Sequence, residues 1–370
     1  MLLILLIITT ILSLTTVSSQ ESFENAWNEY VERVTTQNDL QKACVPRYLK
    51  AESVEKKGVV VLFHGFSACP QQWDLISPLL SKRGFDVLMP LNPGHGNSLK
   101  NPGPRYRCLY GCDGKTDNVT NFPLNVDEWT SYVQMINGIV AKSSGVHAVG
   151  GLSVGGTLAA SAGLARNADG SSLYSRQLIM NPMIELHGLI DAVVAVLSHI
   201  PYIKNDFVGW GPGCREERAN GRGGVCTFKV SNGKAAKDFG NDVLSKSKEK
   251  VNSSVAVIYD RNDPVVNVEY VRKLASQYSN GGVVLEDSSI LTSCVLNFTD
   301  HSMLSRWDEI HNNKWWMDEL SCRVVSYLSF SDHFHATNIK DSESDEDYFC
   351  ELKCTNQTCH YNRSASSVVC

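Results

Sequence analysis

Apolar positions along the 370-residue chain fall into two recurring patterns. Short unbroken apolar runs occur at Gly58–Phe63 (GVVVLF), Phe85–Pro90, Val146–Val149, Gln177–Met180, Val255–Tyr259 and Ser293–Phe298. Runs of this length predict strands buried on both faces of a parallel sheet. Between them, apolar residues recur at helical spacing. Gln71–Ser81 carries Trp73, Leu75, Ile76, Leu79 and Leu80, Val126–Ala141 follows the same period, and Thr157–Arg166 is small, apolar and helix-compatible. Ser305–Phe330 closes the series with Trp315, Trp316, Leu320, Val324, Val325 and Leu328, and Ser22–Thr35 opens it with an amphipathic helix assigned to packing alone. Alternation of this kind predicts a doubly wound α/β sheet.

Two stretches interrupt the alternation. Lys100–Pro123 holds Cys108, Cys112 and several glycines and prolines, and reads as a surface loop. Met183–Lys250 contains an apolar face from Leu186 to Ile200, including Val193 and Leu197, that suits either a substrate-covering helix or a plain core helix. Within it, Cys214 and Cys226 bracket a Gly/Arg-rich stretch that a disulfide would staple.

The chemistry centres on Gly151-Leu152-Ser153-Val154-Gly155, a G-x-S-x-G motif between the run at Val146 and the small-residue helix. Strand, glycine-flanked serine and helix is the context in which this motif presents a nucleophile. The turn is tight enough to leave the serine strained and exposed, and only glycine fits beside it. Past the ends of other strands stand Phe63-His64-Gly65-Phe66 and Pro93-Gly94-His95-Gly96-Asn97-Ser98.

With these motifs the chain resembles the α/β-hydrolase superfamily, in its monoglyceride lipase and carboxylesterase (serine aminopeptidase-type) branch. The resemblance covers Gly58 to Phe330 apart from the two insertions. It implies the α/β-hydrolase fold: a mostly parallel sheet with a helical cap, here at about 183–250. It also implies a triad in the chain order nucleophile, acid, base, met by Ser153, Asp263 and His301, each just past a predicted strand. Asp263 takes the acid's place in the family's G-x-x-D-x-V-V pattern, where Asp260 stands for the glycine and is expected to cap the turn. Asp300 ranks behind both, because neighbouring residues rarely face each other. The interval from Asp263 to His301 implies a small insertion around Gly281–Ser289. The backbone N–H groups of Phe66 and Val154 are the implied oxyanion donors. His64 and His95 are expected to hold backbone, and Cys69 to sit in a structural disulfide. The implied activity is cleavage of a carboxylic ester, with a thioesterase, a peptidase or a non-catalytic binding protein of the same fold as alternatives.

Composition adds the compartment. Met1–Leu14 is almost wholly aliphatic, and Thr15–Ser19 turns small and polar, as in a secretory signal over residues 1–19 cleaved near Gln20, although Lys and Arg are missing before it. The run is shorter than the ~20 residues of a membrane span, so no stable anchor is expected after cleavage. Twelve cysteines suit an oxidising compartment. Sequons at Asn118, Asn252, Asn297, Asn356 and Asn362 point to a secreted glycoprotein. A net charge of −5 with no basic patch excludes nucleic acid as an expected partner. The hydrolase domain is expected over 20–330, followed by a polar tail at 331–370. Its Cys350, Cys354, Cys359 and His360 suggest disulfides rather than zinc; no cofactor or metal is expected.

Overall fold

The computed structural model describes residues 22–97, 108–110, 121–188, 194, 196–200, 204–210, 212–219, 221–248, 253–260, 262–280, 293–296, 301 and 317–329. The signal-like segment, the asparagines of all five sequons, Asp300, Val193, the insertion at Gly281–Ser289 and the tail lie outside them.

Seven strands build the main sheet: β1 (Arg47–Leu49), β2 (Gly58–Phe63), β3 (Phe85–Met89), β5 (Val146–Leu152), β6 (Arg176–Met180), β9 (Ser254–Asp260) and β10 (Ser293–Leu296). Their spatial order is β1-β3-β2-β5-β6-β9-β10; β1 runs antiparallel at the edge and the other six are parallel. The chain winds outward from β2 to β3, then returns to place β5 on the other side of β2. That reversal opens a crevice at the carboxyl ends of β2 and β5, the usual location of a site in such sheets.

Both faces of the sheet are covered, which explains the unbroken apolar runs. In β2, Val59, Val61 and Phe63 enter one core layer, while Val60 and Leu62 enter the other. Each such side chain fully withdrawn from water contributes ~1.5–3 kcal/mol. The first layer is completed by α1 (residues 22–37), through Phe23, Trp27 and Tyr30, and by α3 (Val126–Val140) and α4 (Val154–Ala162). The Tyr30 hydroxyl also donates to the Leu91 carbonyl (3.0 Å) and accepts from the Leu91 N–H (2.9 Å), so α1 is bound to the loop after β3. The second layer holds Trp73, Ile76 and Leu80 with Leu320, Val324, Val325 and Leu328 of α7 (Met317–Leu328). Asn125 caps α3 by accepting from the Glu128 N–H (3.0 Å), and the Glu128 carboxylate accepts from the N–H of Leu124, the residue before the cap (3.3 Å).

Three expectations need correction. The helix read over Gln71–Ser81 is broken into a 3-10 turn, Pro70–Trp73, and a short helix α2, Ser77–Lys82. Pro78 has no N–H for the Asp74 carbonyl, so the helix restarts with proline in its first turn. The insertion at Lys100–Pro123 is more than a surface loop. Cys108–Tyr110 forms β4 of a second sheet, beside β7 (Phe207–Gly209), which pairs antiparallel with β8 (Thr227–Lys229), and Phe122 is buried. The cap expected over 183–250 is not one unit. Its last helix, α6 (Val230–Lys246), puts Ala236, Phe239, Val243 and Leu244 into the main core against α3 and α4. What meets the loop after β2 is the small sheet, through Trp210 and Val225, and α5 (Pro212–Ala219) is stapled to it by the Cys214–Cys226 disulfide.

Candidate active site

Ser153 stands between β5 and α4 with φ 61° and ψ −124°, a conformation that a non-glycine residue adopts only when its surroundings enforce it. The flanking glycines show what enforces it. A Cβ on Gly151 would lie 1.9 Å from the Gly155 carbonyl oxygen, and one on Gly155 would lie 2.1 Å from that of Phe63. The helix therefore starts pressed onto the ends of β5 and β2, with no room for a methyl group at either place. On the far side the Ser153 N–H donates to the Met180 carbonyl (2.9 Å) and its own carbonyl accepts from the Met183 N–H (3.1 Å).

The strain matches the sequence expectation, but the exposure does not: Ser153 is only 6% accessible. Its turn lies inside the sheet between β2 and β6, and His301 closes over it. The His301 Nε2 is 2.8 Å from Ser153 Oγ, and its Nδ1 is 2.7 Å from Asp263 Oδ2. Three residues spread over 148 positions thus form one hydrogen-bonded line at the carboxyl ends of β5, β9 and β10. The other oxygen of Asp263 accepts from the N–H groups of Val265 (2.7 Å) and Val266 (3.0 Å). Burial pushes the Asp263 pKa up; the attraction and hydrogen bond of His301, with these two N–H groups, outweigh it and hold the carboxyl below its ordinary value. Asp260 accepts from the Asn262 N–H (3.0 Å) and caps the turn as expected.

The loop after β2 is held from every side. The Gly65 N–H donates to the Gln72 side chain (2.7 Å), the Ser67 N–H to His95 Nε2 (3.1 Å) and the Ala68 N–H to the Gly65 carbonyl (3.2 Å). Among the described residues no acceptor takes the N–H of Phe66 or of Val154, the two expected oxyanion donors. Cys69 is joined to Cys44, so the loop's far end is tied covalently to the segment ahead of β1. His64 and His95 hold backbone as expected. His64 Nε2 accepts from the Asn92 N–H (2.9 Å) and its Nδ1 faces the Gly65 carbonyl (2.8 Å); His95 Nδ1 faces the Pro93 carbonyl (2.9 Å). Each ring therefore carries its proton on Nδ1 and stays neutral. Burial, and for His64 also the neighbouring His95, lowers both pKa values, His95 to about 3.

The small sheet meets this loop through residues that sequence patterns did not single out. Trp210 Nε1 donates to Ser67 Oγ (2.7 Å), and the Val225 N–H donates to the Ser67 carbonyl (2.9 Å). Phe66 packs against Phe122 and Phe228 at ring separations of 4.9 and 5.0 Å, and Trp210 packs on Phe228 at 5.0 Å. An aromatic wall thus lines the loop that carries one expected oxyanion donor. The apolar face from Leu186 to Ile200 divides. Leu186 bridges to Val266 beside the acid and is buried, and Val194 is also core, while Leu197 is half-buried and Val196 and Ile200 are exposed. Only a positive φ at Ser67 marks how tightly this loop is bent, and no residue pattern announces that conformation.

A strained serine, an imidazole and a buried carboxylate in line at the edge of a parallel sheet define a hydrolase-type site on an α/β scaffold. The chain belongs to the α/β hydrolase family, whose profile matches residues 60–310. No curated protein matches it. Among solved structures, a monoacylglycerol lipase of Paleococcus ferrophilus is 16% identical with a TM-score of 0.51, covering 77% of this chain and 98% of that one. A soluble variant of monoglyceride lipase from Saccharomyces cerevisiae, in complex with a substrate analogue, is 12% identical with a TM-score of 0.52, covering 76% and 90%. At such identities the likeness speaks for the fold.

Proposed function

We propose that the protein is a secreted, glycosylated serine hydrolase that cleaves carboxylic esters through an acyl-enzyme. The observation that carries this reading is the unbroken line Ser153 Oγ–His301 Nε2, His301 Nδ1–Asp263 Oδ2. His301 takes the Ser153 proton as Oγ attacks the ester carbonyl, and Asp263 fixes the ring with its proton on Nδ1 and offsets the charge that forms. The N–H groups of Phe66 and Val154 receive the negative charge developing on the carbonyl oxygen. Collapse expels the alcohol, which takes the proton from His301. Water then attacks the acyl-serine with His301 as base, releasing the acid and restoring Ser153.

The aromatic wall around Phe66 suits an apolar acyl or alcohol group, and the similarity to monoacylglycerol lipases makes glycerides the first substrates to test. Disulfides at Cys44–Cys69 and Cys214–Cys226 support an oxidising compartment. A fluorophosphonate probe is expected to label the secreted protein, and Ser153→Ala to abolish labelling and ester turnover together. Undiminished labelling of that variant would refute the assignment.

A further inference from the structure

Asn181, the residue after β6, is fully buried and holds φ at 37°, a region in which few side chains besides asparagine, aspartate and histidine are found. Its side chain joins two loops. Oδ1 accepts from the Asp260 N–H (2.8 Å) and Nδ2 donates to the His301 carbonyl (3.1 Å). The orientation of the amide is unambiguous, because a peptide N–H can only donate and a peptide carbonyl can only accept. Its own N–H donates to the Ile258 carbonyl (2.8 Å), which locks the residue to β9. Asp260 in turn fixes the acid's turn, since its carbonyl accepts from the Asp263 N–H (3.2 Å).

Seen with its neighbours, this segment reaches all three parts of the triad. Met180 and Met183 hold the Ser153 backbone on both sides, and Asn181 holds the other two loops. Yet Met180–Met183 contains no acid, base or nucleophile. Among the described residues, His301 has three hydrogen-bond partners: Ser153, Asp263 and Asn181. The first two are the groups that the imidazole must serve, so among these three Asn181 is the partner that acts on the His301 backbone.

We infer that Asn181 is a positioning residue, one rigid amide that keeps the His301 ring in register with Asp263. The inference rests on the triad reading above. Glycine fits the backbone but bonds neither loop, and aspartate keeps the bond to Asp260 but presents an oxygen to the His301 carbonyl. Misplacing a reacting group by ~1 Å costs on the order of 100-fold in rate.

The test compares Asn181→Gly and Asn181→Asp with wild type on a soluble ester, counting folded enzyme by near-UV circular dichroism. Per folded molecule, kcat is expected to fall by about 100-fold in both with KM within about twofold, and fluorophosphonate labelling to slow by the same factor. A far-downfield proton resonance from His301 Nδ1–H, identified by its loss in His301→Ala, should broaden or vanish in both variants. If either variant, once folded, turns over at the wild-type kcat and keeps the resonance, the inference is overturned. Should the glycine variant fail to fold, the aspartate variant decides by the same readings. Wild-type turnover that survives Ser153→Ala would instead overturn the triad and this inference with it, a result distinct from an active enzyme indifferent to Asn181.

Discussion

The pH dependence of stability offers a test of how the loop after β2 is held. His95 is buried, keeps Nδ1–H on the Pro93 carbonyl and accepts the Ser67 N–H on Nε2. A second proton has no acceptor on that side and would break the bond to Ser67. Burial accordingly lowers its pKa from the ordinary 6.5 to about 3. Between these values the unfolded chain binds a proton that the folded protein refuses. The stability is thus intact above pH 6.5, declines as pH falls below it, and stops declining near pH 3. The slope is about 1.4 kcal/mol per pH unit, so at pH 5.0 His95 alone removes about 2 kcal/mol. His64, lowered in the same direction, adds to the loss. Against a typical total of ~5–15 kcal/mol, such a loss is easily measured. Urea unfolding at pH 7.5 and 5.0 should therefore show wild type losing about 2 kcal/mol more than His95→Gln, whose amide accepts the Ser67 N–H without titrating. Equal losses in the two proteins would mean that His95 is solvated and does not hold the loop.

Three further outcomes are expected. Asp263→Asn should lower kcat by roughly 10³–10⁴-fold, while Asp260→Asn, which disturbs a turn, should cost far less; steady-state kinetics on a soluble ester separates them. Gly155→Ala should leave no stably folded protein, because the new methyl would meet the Phe63 carbonyl at 2.1 Å; a wild-type Tm would show that α4 does not press on β2. An acyl pocket gains about 0.8 kcal/mol per buried methylene, so kcat/KM should climb from acetyl to medium-chain esters. If the apolar face read from the sequence holds the acyl group, exchanging Leu197 for Ser should flatten that climb, and a wild-type profile highest at acetyl would exclude a lipase.

Much of this was legible along the chain, because it depends on near neighbours. Buried parallel strands need apolar runs, so β2, β3 and β9 declared themselves by composition. The serine turn did so because a helix packed against two strand ends excludes every side chain at Gly151 and Gly155. The order Ser153, Asp263, His301 was implied by the family resemblance, and each residue also stands just past an apolar run. What the chain could not disclose were contacts between segments far apart in it. Strand β5 runs on through Gly150 and Gly151 to Leu152, although glycine favours no strand, because β2 and β6 pair with it on both sides. Whether α6 covers the site or fills the core depends on which helices it meets, and it meets α3 and α4. Trp210 on Ser67 and Asn181 between Asp260 and His301 are ordinary residues by type and spacing. Their roles arise from hydrogen bonds across 143, 79 and 120 positions, and only the packed sheet brings those partners within reach.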